Sequence, residues 1–185
     1  MLSIAWMMFL LFFPACLGLL WQVIEGDELS TQLLALGILL LCVDQARMAV
    51  VDLAQVAKAQ QQSPDARLKR FYQATVSTIA LELLGFYAAT LWLGWGSIVI
   101  LLSQIWFNLW AGIQLHPAEK VTIQTWGIPQ RIPVLGADAI ALVLVSLWML
   151  KIAPLAIATG LLGLVILYGW MKYGLSTQSV GEVSR

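Results

Sequence analysis

Charge is what this chain has least of. Its 185 residues include ten basic and ten acidic side chains, 11% of the total, and the two signs cancel. A soluble domain carries about 25% charged residues. So few cannot cover a water-soluble globule of this length, and zero net charge gives no general attraction to nucleic acid. Histidine occurs once, at His116 beside Pro117. A bis-histidine haem within one chain is therefore excluded, and a zinc site lacks its customary ligands. His116 reads as a loop residue. Cys16 and Cys42 both lie inside apolar runs with no CxxC spacing, so they read as small hydrophobes.

Catalytic signatures are missing too: there is no GxSxG, no HExxH, no glycine-rich phosphate loop and no His/Cys cluster. Asp44-Gln45-Ala46-Arg47 with Asp52 lacks the glycine spacing and further aspartates of the acidic metal motif in membrane phosphotransferases. The sequence thus points to no catalytic residue, no metal set and no particular cofactor. A membrane enzyme is the least supported of the readings below.

What the chain has in abundance is apolar surface: 61% hydrophobic residues and a mean hydropathy of +0.86. The class this defines is an all-α polytopic membrane bundle. With about 20 apolar residues needed per crossing, six spans are expected, at 2–24, 29–51, 72–93, 97–115, 134–150 and 154–171. They form one domain over 1–175, followed by a polar, mobile tail over 176–185. The first run has no preceding Lys or Arg and no small-x-small cleavage site, so it reads as a retained span, kinked at Pro14. The second is expected to continue beyond the membrane as helix to about Gln61, with a break at Pro64. The loop from His116 to Pro133 carries Val121, Ile123, Trp126, Ile128 and Ile132, which suggests a segment lying along the interface.

Six spans put both termini on one side. Arg47, Lys58, Arg67, Lys69, Arg70, Lys120, Arg131, Lys172 and Arg185 fall there, and Lys151 alone falls opposite. Such asymmetry makes that side cytoplasmic. Trp21, Trp92, Trp95 and Trp148 at the outer ends, with Trp6, Tyr72, Trp170 and Tyr173 at the inner ends, form the matching aromatic belts. The expected setting is a bacterial plasma membrane or a thylakoid-type membrane.

Polar residues inside spans are expensive in lipid and mark candidate sites. On a helix, Asp44, Arg47, Asp52, Gln55 and Lys58 share an arc of roughly 140°. Glu82 lies near the middle of the third span, roughly 13 Å from its inner end. Thr75, Thr78, Gly85 and Ala89 complete its stripe, a small and polar face suited to helix packing. Gln104 and Asn108 stand four apart on the fourth span, and Asp138 enters the fifth. Asp44, Arg47, Glu82, Gln104, Asn108 and Asp138 thus form a candidate intramembrane polar layer in the inner half, with Arg47 expected to pair with Glu82. Each also has a plain structural reading. Asp44 and Arg47 read as interface residues, Arg47 snorkelling. Glu82, Gln104 and Asn108 read as interhelical hydrogen bonds, and Asp138 as an acid suited to a helix start. Arg67, Lys69 and Arg70 offer a lipid or partner surface, or serve as topological charge alone.

Two functions follow as expectations. One is a non-catalytic accessory, assembly or scaffold subunit, held by lipid and by other membrane subunits. The alternative is a small-solute or ion/proton-coupled transporter, or a substrate-binding membrane module, using the carboxylate layer. In size and span count alone the chain is similar to the substrate-binding components of some vitamin importers.

Overall fold

The computed structural model describes residues 3–62, 65–116 and 122–182, with the backbone alone at His116 and over 174–182. The break at Ser63 and Pro64, Pro117, Lys120, Val121, Arg185 and the side chain of His116 lie outside the described residues. Among the described residues there are six helices and one two-stranded hairpin: α1 (Ile4–Glu25), α2 (Leu29–Gln62), α3 (Ala66–Ala89), α4 (Leu93–Trp110), β1 (Ile113–His116), β2 (Thr122–Thr125), α5 (Ile128–Met149) and α6 (Pro154–Glu182). Five of the helices, all but α3, are long and apolar enough to cross a membrane.

The exception has a physical cause. Gln73, Thr75, Ser77, Thr78 and Glu82 dilute the hydropathy of α3, and three of them, Thr75, Thr78 and Glu82, turn inward. Thr75, Thr78, Glu82, Gly85 and Ala89 are all buried. They face α4, where Gly96, Ser97, Ile100 and Ser103 are buried in turn. Helix α1 closes a third side: Gln22 Nε2 donates to the carbonyls of Ala89 and Thr90 at 2.9 and 2.7 Å, satisfying the end of α3. The tightest approach is between α3 and α4. A Cβ on Gly96 would stand 2.2 Å from the Ala89 nitrogen, and one on Gly85 would stand 2.7 Å from Ile100 Cγ1.

At 34 residues, α2 is about 51 Å long, against a hydrocarbon core of about 30 Å. Its far end therefore stands clear of the apolar layer and carries a core of its own. Val56 and Ala59 pack with Leu68, Phe71 and Ala74 of α3, Ala111, and Ile113 and Leu115 of β1. Asp65 caps α3 by accepting the Arg67 N–H at 2.8 Å, and Arg67 also donates to Thr125 of the hairpin at 3.0 Å. Hydrogen bonds from Arg67 hold the half-buried Asp65 carboxyl below its ordinary range. At the opposite end, Lys151 reaches Glu28 at 3.0 Å and ties the α5–α6 turn to the α1–α2 turn. That contact, with the Ser30 hydroxyl, lowers the Glu28 carboxyl too.

Four expectations are corrected here. Helix α4 stops at Trp110, because Gly112 takes a φ of +66° and turns the chain, so the fourth span does not reach Leu115. The following segment, expected to be a loop, forms an antiparallel hairpin, Ile113 opposite Thr125 and Leu115 opposite Ile123. Its apolar residues pack inward on the α2 extension. Helix α5 begins at Ile128, before Pro133, whose absent donor falls within the second turn, where the carbonyl left free is that of Pro129. Finally, α6 runs on to Glu182 through most of the segment expected to be a mobile tail.

Candidate functional site

Glu82 is 3% exposed, and its Oε1 accepts a hydrogen bond from Gln104 Nε2 at 2.5 Å. Two residues expected in one polar layer therefore meet, one from α3 and one from α4. Beside them lies a cavity of about 170 Å³, walled by α2, α3, α4 and α6. Asp52, Thr75 and Thr78 border it together with Glu82, Gln104 and Lys172. The Thr78 hydroxyl is buried without a hydrogen-bond partner. Lys172 is already committed: its Nζ lies 2.7 and 2.9 Å from the two carboxylate oxygens of Asp44, which also accepts from the Tyr173 hydroxyl. Asp52 forms no ion pair among the described residues. The chamber thus carries two carboxylates that no cation of the described chain engages directly.

A second chamber of about 320 Å³ adjoins the first; Met48, Asp52 and Phe107 border both. It lies under the hairpin and is walled by α2, α4, β1 and the start of α5. Asn108 borders it, apart from Glu82. Arg131, 6% exposed, reaches across its wall to close the end of α4: its guanidinium donates to the carbonyls of Phe107, Asn108 and Ile113 at 3.2, 2.8 and 3.2 Å. A cation at a helix C-terminus is favoured by the helix dipole. It has no carboxylate partner among the described residues.

The remaining expected site residues are dispersed. Arg47 does not pair with Glu82. It is exposed, with its guanidinium 4.8 Å from the centre of the Tyr173 ring, because the α2 stripe around Asp44 faces α6 and not α3. Asp138 borders neither chamber, and its Oδ2 is buried without a partner. Of the basic cluster, Arg67 holds Asp65 and the hairpin, Arg70 sits 5.3 Å from the Trp110 ring, and Lys69 is exposed. The thiols of Cys16 and Cys42 meet at 3.3 Å, both free.

Lys172, Arg131, Gln114 and Trp126 also border the chambers; by sequence Lys172 and Arg131 read as topological charges, Gln114 falls in the fourth span and Trp126 in the loop. The signal for Lys172 was its place at the end of an apolar helix beside Tyr168 and Tyr173. For Arg131 it was a lone cation between Pro129 and Pro133, with Gln130 the one other polar side chain of that stretch. No family model, curated protein or solved structure matches the chain. A buried carboxylate with an amide donor and water-sized space can hold a proton or a small cation.

Proposed function

We propose that this is a six-span membrane protein with both termini cytoplasmic, and that it serves as a cation- or proton-coupled solute-binding module of a bacterial plasma or thylakoid-type membrane. The observation that carries this reading is the 170 Å³ chamber, in which Glu82 and Asp52 lie together while the bordering cation Lys172 is bound to Asp44. Glu82 is the residue that takes up the proton or cation, and Gln104 orients it. The positive-inside excess and the Glu28–Lys151 contact, which joins two turns at one end of the bundle, support the topology. Reporter fusions after Arg185 and within Gly26–Glu28 test it: the first is expected to report cytoplasm and the second the opposite side. A cytoplasmic signal from both would remove the six-span arrangement.

The chamber is tested with butylammonium, titrated calorimetrically into the protein in nanodiscs. Binding is expected in the parent chain and at least tenfold weaker in Glu82→Gln, which keeps the shape and removes the charge. Equal affinity in both would dismiss the chamber as the cation site.

One observation favours the subunit reading. On α5 and α6, Gly136, Gly160, Gly163 and Gly169 face open space, and most large apolar side chains there are exposed. Small-residue faces of that kind admit another helix as readily as lipid. Retention of a stoichiometric membrane partner in mild detergent, lost when Gly160 and Gly163 are changed to leucine, would support it.

A further inference from the structure

Two residues that border the larger chamber each carry a polar atom with nothing to bond. Trp126 Nε1–H, a donor, and Gln114 Oε1, an acceptor, are both buried without partners, and both residues border the 320 Å³ cavity. Orphans of this kind cost about 1–3 kcal/mol each unless something meets them. The same walls carry one charge of each sign. Arg131 commits its terminal nitrogens to three carbonyls yet has five N–H groups to give, and Asp52 forms no ion pair among the described residues. The rest of the lining is apolar, with Phe71, Phe107, Val51 and Leu115 contributing. Its volume is at the lower end of the range for small-molecule pockets.

We infer that this chamber binds a small zwitterion: an ammonium group and an anionic group a few atoms apart, with an apolar side chain. The anionic group sits against Arg131 and takes the Trp126 N–H. The ammonium sits against Asp52 and donates to Gln114 Oε1. Each orphan then has the partner type it lacks, and each charge has its opposite. A purely cationic solute would leave Trp126 unmet beside Arg131, and a purely anionic one would face Asp52 and leave Gln114 unmet. Apolar side-chain atoms would rest on the Phe71 and Phe107 rings. This assignment shares Asp52 with the proposed cation chamber but does not depend on Glu82.

The test uses three probes on the full chain in phosphatidylglycerol nanodiscs: L-leucine, its methyl ester and N-acetyl-L-leucine, each titrated calorimetrically. Leucine is expected to bind at least tenfold more tightly than either blocked form. Trp126→Phe removes one N–H with little change in shape, and is expected to erase the preference over the methyl ester. Gln114→Leu is expected to narrow the preference over the N-acetyl form. Because Arg131 also holds α4, neither variant touches it. If the methyl ester binds as tightly as leucine, the zwitterion assignment is overturned, while butylammonium binding lost in Glu82→Gln would leave the first chamber standing. If no probe binds, the assignment is overturned unless the occupant is a lipid of the same chemistry. Native mass spectrometry from phosphatidylethanolamine bilayers separates that source. A headgroup lipid retained by the parent chain and released by Trp126→Phe upholds zwitterion recognition, and no retained lipid completes the refutation.

Discussion

Gly96→Ala is expected to be among the most damaging single-methyl changes in the bundle. The new carbon would fall 2.2 Å from the backbone nitrogen of Ala89, 2.3 Å from its Cα and 2.5 Å from its Cβ. Two of those three atoms are backbone, so no rotamer change relieves the clash and α3 must move away from α4. Overpacking a rigid core costs about 1–3 kcal/mol, occasionally more. With main chain on both sides, the upper end, about 3 kcal/mol, is expected. Separation of α3 from α4 would also pull Glu82 from Gln104, so butylammonium affinity should fall with stability. Ala89→Gly in the same chain removes only the third contact and is expected to recover less than half of the loss. Gly160→Ala, with nothing within 4 Å, serves as the neutral control. Thermal melting followed by size-exclusion fluorescence in detergent measures all four chains. A Gly96→Ala protein that melts with the parent would show that the helices do not meet this closely.

Arg131→Met is the second large effect. Its side chain reaches no carboxylate among the described residues, so the loss is not that of an ion pair. Three carbonyls at the junction of α4 and β1 would lose the guanidinium, with Phe107 keeping a second donor, the Ala111 N–H at 2.9 Å. A hydrogen bond to a charged group contributes about 1.5–3 kcal/mol, and these three share one guanidinium, so about 3–4 kcal/mol is expected in total. Arg131→Lys should restore only a minor part, since an ammonium cannot span three acceptors in one plane. The damage should be local first. Faster amide exchange over Ile113–His116 and Thr122–Thr125, ahead of any change in α1 or α2, is the expected signature. Uniform acceleration across the bundle would contradict the local role.

How much of this could be read from the residues depends on which kind of order is asked about. Apolar runs bounded by turns reveal helices, because a backbone in lipid has few other ways to satisfy itself. The small and polar stripe through Thr75, Thr78, Glu82, Gly85 and Ala89 gave its own facing, and all five are buried. The Glu82–Gln104 contact lay within reach for the same reason: each residue is the main polar interruption of its helix at similar depth. Partner choice across the bundle was another matter. Whether Asp44 meets α3 or α6 depends on the order in which helices pack around α2, which no period in the sequence encodes. Lys172 wins because α6 lies along α2 there, leaving Arg47 outside with Tyr173. The hairpin was hidden by its composition. Ile113, Leu115 and Ile123 are as apolar as an interfacial segment, and only the φ of Gly112 separates strand from continued helix.

The shielding of α3 has a consequence for how the chain enters a membrane. Synthesis delivers α3 before α4, with Thr90, Leu91 and Trp92 between them. At that moment Glu82 has no Gln104, and a charged residue at the centre of a lone segment costs about 2.5–3.5 kcal/mol on insertion scales. The residues that close its polar face leave the ribosome only as α4 emerges. In the six-span arrangement proposed above, helices α3 and α4 are expected to partition as one hairpin, with the lateral exit of α3 into lipid waiting for its successor. A stop placed after Trp92 should leave α3 largely uninserted, although every residue of that helix would be present.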